Sequence, residues 1–164
     1  AGRRVVELGC GLGLPSLAAA LGGARALATD VDRASLALAK RAAQRNLPAE
    51  AQGRFSAQVL DFRDERALRA LGKVDILLIA GQFYRETLHE PLMLAVRLLC
   101  SHGCTVMMSN WVNLGQRLVA DWFLAALDED FERQEIFDCG ERGYMHPHAV
   151  YQCARLARRA AVDA

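Results

Sequence analysis

The chain has 164 residues, of which 52% are hydrophobic and 24% charged, and its formal net charge is +1. That length and composition suit one soluble globular domain with a real core. The near-neutral charge supplies no basic field for nucleic acid, no apolar run reaches the length of a membrane span, and no signal peptide is legible.

Strand-like and helix-like segments alternate from end to end. "RRVVELG" reads as a buried strand, and Leu14, Leu17, Ala18 and Leu21 then recur at helical spacing until Gly22-Gly23 stops them. "ARALATDV" is the second strand, and "DRASLALAKRAAQRN" a helix that Asp32 caps. "RFSAQVLDF" is the third strand, followed by a short charged helix around Asp64 to Ala70. "KVDILLIAG" is almost wholly apolar, as expected of a strand covered on both faces. A helix through Leu88, Leu92, Val96 and Leu99 follows, with His89 expected on its solvated side. "GCTVMMSNWV" is the fifth strand, and Leu114, Leu118, Trp122 and Leu127 mark the next helix. The rhythm then changes, because "FERQEIFDCG" and "HAVYQCARL" are strands with no helix between them.

This order predicts an α/β fold in one domain over residues 1–164. The sheet is expected to be Rossmann-like, doubly wound and mostly parallel, with seven strands and a C-terminal antiparallel hairpin. Ligands of such sheets bind at the carboxyl ends of the strands, near the point where the strand order reverses.

The first strand ends in Glu7-Leu8-Gly9-Cys10-Gly11-Leu12-Gly13. Glycines in a strand-to-helix turn let a ligand approach the backbone, and the helix amino end favours negative groups. A dinucleotide site normally reads Gly-x-Gly-x-x-Gly, whereas the third glycine here comes one residue early. Glu7 would also oppose a pyrophosphate and suits a ligand carrying positive charge.

Those seven residues resemble the first motif of the class I S-adenosylmethionine-dependent methyltransferases. With "TDVD" and "LDF" downstream, the chain is similar to the seven-β-strand protein lysine methyltransferases, or family 16. The resemblance implies S-adenosylmethionine as cofactor, held by Glu7, Gly9, Cys10, Gly11 and Gly13. Asp30, at the end of the second strand, would take the ribose hydroxyls, with Val31 covering one face of the adenine. Asp61 would meet the adenine amino group, with Phe62 beside the ring where the group usually has Trp.

Ala80 closes the fourth strand beside the cofactor, and Gly81-Gln82-Phe83-Tyr84 follows. The resembled group has Asp-x-x-Tyr there, so Tyr84 matches and Gly81 replaces the Asp. A lysine amine with a pKa of about 10.4 is neutral in only about one molecule in a thousand near pH 7.4, at a cost of roughly 4 kcal/mol. Gly81 offers no acceptor to aim it, and Gln82 offers a weaker one. Asn110-Trp111, ending the fifth strand, would complete the acceptor pocket with Tyr84.

His146 and His148 lack further ligands nearby, so no metal is expected. Cys10, Cys100, Cys104, Cys139 and Cys153 fit no zinc spacing and read as reduced thiols of a cytoplasmic protein, the nucleus being the alternative compartment. The leading reading is a methyltransferase acting on a protein substrate, at a side chain such as lysine. A small-molecule or nucleic-acid methyltransferase, and a degenerate S-adenosylmethionine-binding interaction domain, stand beside it. Only Ala1 to Arg4 precede the first strand, where the resembled proteins carry a covering segment, so the chain is expected to lack an N-terminal piece.

Overall fold

The computed structural model describes residues 2–82, 86–101, 103–111, 123, 125–127, 131–138 and 148–155, with the backbone alone at 110, 111, 133–138 and 148–155. Five strands run parallel: β1 (Arg4–Leu8), β2 (Arg25–Asp30), β3 (Phe55–Val59), β4 (Ile76–Ala80) and β5 (Thr105–Trp111). β6 (Phe131–Asp138) and β7 (His148–Arg155) pair antiparallel with each other, and β7 lies antiparallel on β5. The order across the sheet is β3-β2-β1-β4-β5-β7-β6. The chain therefore winds outward from β1 to β3, returns to β4 on the other side of β1, and reverses its direction of growth there.

Side chains alternate across a strand, and β1 shows what that does. Val6 and Leu8 join Leu77 and Ile79 of β4 and Val106 and Met108 of β5 on one face. α4 (Glu65–Ala70) and α5 (His89–Leu99) cover that face through Leu68, Leu92, Val96 and Leu99, together with Phe123 and Leu127 from the helical residues 123 and 125–127. Val5 turns to the opposite face, where α1 (Leu14–Leu21) and α2 (Arg33–Asn46) pack through Leu17, Ala20 and Ala43. Alanines dominate that layer, so these helices press close to the sheet.

Local chemistry explains the helix ends. Asp32 caps α2 by accepting from Ala34 N at 3.1 Å and Ser35 N at 3.0 Å. Gly22 ends α1, its N–H reaching the carbonyl of Ala18. A four-residue helix, α3 (Ala49–Gln52), was not foreseen; it starts after Pro48, whose fixed φ suits a helix beginning. His89 is a correction. It opens α5 but is only 4% exposed, with its ring edge-on to Phe123 at 6.3 Å between centroids, so it belongs to the core and not to a solvated face. Among the described residues Cys10, Cys100 and Cys104 are buried, and no helix is long and apolar enough to cross a membrane. Leu114, Leu118, Trp122, Cys139 and His146 lie outside the described residues.

Leu77 is fully buried at the centre of the larger layer. Leu77→Ala is expected to lower stability by about 2–5 kcal/mol, read from urea unfolding with an unchanged slope. A loss below about 1 kcal/mol would contradict this packing.

Candidate functional site

The parallel strands aim their carboxyl ends the same way, and a crevice of about 260 Å³ opens there beside β1. Gly9 forms part of its wall, Asp30 and Val31 come from the end of β2, and Asp61 and Phe62 follow β3. Leu60, Arg63, Gln82 and Leu88 complete the described wall. Its size lies just below the ordinary range of ligand pockets, which starts at about 300 Å³.

The loop after β1 holds its shape through outside partners. Gly9, Gly11 and Gly13 have φ of 63°, 51° and 73°, a backbone region that side chains disfavour. Each glycine answers a different neighbour. A Cβ at Gly9 would collide with the Gln82 amide, and one at Gly13 would crowd Ala39 Cβ at 3.1 Å. A Cβ at Gly11 would meet nothing within 4 Å, so that position is the one open to close approach by a ligand.

Two carboxylates tie the loop down. Asp30 Oδ2 accepts from Gly11 N at 2.8 Å, and its Oδ1 accepts from Asp32 N at 2.9 Å. A carboxylate offers about four lone-pair sites, so Asp30 keeps capacity for the hydroxyls of a ligand. Glu7 Oε2 accepts from Ser16 N at 3.0 Å and from Ser16 Oγ at 2.5 Å, joining β1 to the first turn of α1. Asp61 is engaged by Arg63, whose Nη2 donates to Oδ2 at 2.6 Å and whose Nε donates to Oδ1 at 2.9 Å. Those bonds hold the Asp61 carboxyl below the usual carboxylate range.

A family model for lysine methyltransferases matches residues 1–120. The chain belongs to the lysine methyltransferase family. Solved structures with the same fold include the glycopeptide N-methyltransferase MtfA, at 13% identity and TM-score 0.76, covering 95% of this chain and 90% of that one. Magnesium protoporphyrin IX methyltransferase from Synechocystis, crystallised with bound S-adenosylmethionine, matches at 21% identity and TM-score 0.65, over 94% of this chain and 71% of that one. WbdD matches at 16% identity and TM-score 0.70, covering 93% of this chain, which spans only 35% of WbdD's length. Family model and fold thus agree with each other.

Of the residues singled out in the sequence, Gly9, Asp30, Val31, Asp61 and Phe62 share the crevice. Gly11 borders it through its bond to Asp30. Gly13 and Cys10 face inward instead. Gly13 packs against Ala39, while Cys10 is 7% exposed beside Ala28 and Leu36, and burial pushes its thiol up to about 12. Glu7 is 1% exposed and works as a brace beneath the loop rather than as a carboxylate displayed to a cationic ligand. Ala80 ends β4 behind Gln82, whose Nε2 lies 3.5 Å from its carbonyl. Tyr84 lies outside the described residues, and Asn110 and Trp111 are described only as the backbone end of β5.

Sequence reasoning missed Ser16 and Arg63 and underrated Gln82. A Ser one turn into the helix after a Glu-x-Gly-x-Gly-x-Gly loop was the available signal for the first. An Arg two residues after a strand-end Asp was the signal for the second.

Burial pushes the Glu7 carboxyl from 4.5 up to about 6, and the charge of Asp30 adds to the rise, against the lowering effect of the Ser16 bonds. An acid whose pKa rises on folding holds its proton more tightly in the folded state. Its contribution is therefore greatest below the unfolded value and is lost as pH climbs through about 6, a span worth about 2 kcal/mol. Glu7→Gln keeps an oxygen for Ser16 and cannot ionise. Urea unfolding between about pH 4 and about pH 7 is expected to show a flatter pH dependence in this variant than in the parent, and identical profiles would refute the assignment.

Proposed function

We propose that this chain methylates a protein substrate at a lysine side chain. The observation that carries the reading is the crevice itself, with Asp30, Asp61 and Phe62 set beside the glycine loop in a chain of this family. The donor fits the described residues on three counts. Asp30 retains lone pairs, Gly11 presents open space, and Val31 stays 58% exposed at the rim.

Bound there, S-adenosylmethionine supplies a methyl group activated by a sulfonium leaving group. Asp30 would hold the ribose hydroxyls, with Val31 and Phe62 beside the adenine. Asp61 would take the adenine amino group, sharing an oxygen with Arg63. Family membership supports a lysine acceptor, and Tyr84 with Asn110-Trp111 is assigned to hold it. The acceptor amine must lose its proton before attack, so a dry aromatic wall that disfavours the ammonium form serves the reaction. The same reading takes β6 and β7 as the C-terminal hairpin that completes a seven-stranded sheet, a view supported by their antiparallel pairing. It takes the working protein to be cytoplasmic or nuclear.

One observation favours a second reading. Gly81 has φ of 65° and a Cβ there would meet nothing within 4 Å, so the position that carries Asp in similar proteins is open backbone here. A different acceptor, or donor binding without transfer, would suit that vacancy.

Calorimetry with S-adenosylhomocysteine tests the donor site. Asp30→Ala is expected to weaken binding roughly tenfold or more, since hydrogen bonds to a charged group are lost. NADH is expected not to bind, and NADH binding in its place would overturn the reading. Incubation with methyl-labelled donor and cell lysate, followed by amino-acid analysis, then tests the acceptor. Label on methyl-lysine supports the first reading, and label confined to small molecules supports the second.

A further inference from the structure

We propose that Gln82 is a positioning residue that fastens the methyl-donor loop to the acceptor side of the crevice, an inference that rests on the donor reading above. Gln82 follows β4, yet its Nε2 donates to the carbonyl of Gly9 after β1 at 2.8 Å. A carbonyl can only accept, so the amide nitrogen must be the atom that faces it. The bond joins residues 73 positions apart in sequence and is half-buried.

Three further observations converge on it. The Gln82 amide occupies the space that a side chain at position 9 would need, so loop and amide are fitted to each other. Gly81, at φ 65°, turns the chain directly after β4 and brings the next side chain back over the loop. Finally, Gln82 lines the same crevice as Asp30 and Asp61, placing the bond beside the site it would organise.

The consequence is mechanical. The glycine loop carries the donor, and the segment leading toward Tyr84 begins at Gln82. The pairing of β1 with β4 already sets the two strand ends side by side, and the Gln82 bond adds the tie that holds the loop beyond β1 against the segment beyond β4. Breaking it frees the loop to move relative to that segment, and transfer depends steeply on their alignment.

The test uses the whole chain and two variants, Gln82→Ala and Gln82→Glu. Titration with S-adenosylhomocysteine is expected to show both binding roughly three- to tenfold more weakly than the parent, the usual worth of one hydrogen bond. The Glu variant keeps length and an oxygen but cannot donate to the Gly9 carbonyl, so its loss identifies the N–H as the group that matters. Amide hydrogen exchange without ligand is expected to quicken at residues 9–13 in both variants and to stay unchanged in α5, which separates loosening of the loop from general destabilisation. Parent-like affinity in the Glu variant, or unaltered exchange at 9–13, overturns the proposal. Tighter binding by the Ala variant also overturns it and makes Gln82 an obstruction. If the parent itself binds no S-adenosylhomocysteine, the donor reading fails. The exchange result then decides the clasp alone, quicker exchange supporting it and unaltered exchange refuting it.

Discussion

A turn with three residues at positive φ within five positions keeps one backbone bond of its own, from Gly13 N to the Cys10 carbonyl at 2.8 Å, so neighbours supply much of its shape. Here two carboxylates impose much of it. Asp30 accepts the Gly11 N–H at 2.8 Å, and Glu7 grips both donors of Ser16. The first bond ties the loop to β2, and the second ties β1 to the helix that leaves the loop. The first depends on the parallel pairing of β1 with β2, which sets Glu7 opposite Ala28 and Leu8 opposite Thr29 and so brings Asp30 under Gly11.

The two carboxylates stand at different depths, and that divides their roles. Glu7 is sealed beneath the loop, where the lost hydration of its charged form makes it costly to ionise. Asp30 reaches the crevice and retains lone pairs beyond those spent on backbone. Asp61 is different again, since Arg63 covers it with a forked pair at the surface, where water weakens such contacts. The crevice thus holds one anchored acceptor and one that shares its oxygens with an arginine.

Much of this was legible in the chain. The alternation of apolar strands and amphipathic helices gave the order of elements, because strands covered on both faces leave unbroken apolar runs such as "ILLIA". The spacing of Gly9, Gly11 and Gly13 located the loop, and strand-end Asp30 and Asp61 located the crevice. Illegible were the facts that depend on which way a side chain turns after the strands are paired. Cys10 shares the motif with Gly9 and Gly11 but points into the α2 layer beside Leu36. Glu7 resembles a ligand group in sequence, yet β-strand alternation turns it with Val5 toward α1. His89 sat at a helix start that looked solvated, and the ring of Phe123, thirty-four residues later, encloses it. Such outcomes depend on contacts between distant segments, and no local pattern encodes them.

The mutual fit of Gly9 and Gln82 also constrains how this sequence can drift over time. A side chain at position 9 would have to enter space that the amide already fills, on a backbone that resists side chains anyway. Such a side chain would have to turn the Gln82 amide away and so break its bond to the Gly9 carbonyl. The two positions are therefore coupled, and a change at either one is felt at the other.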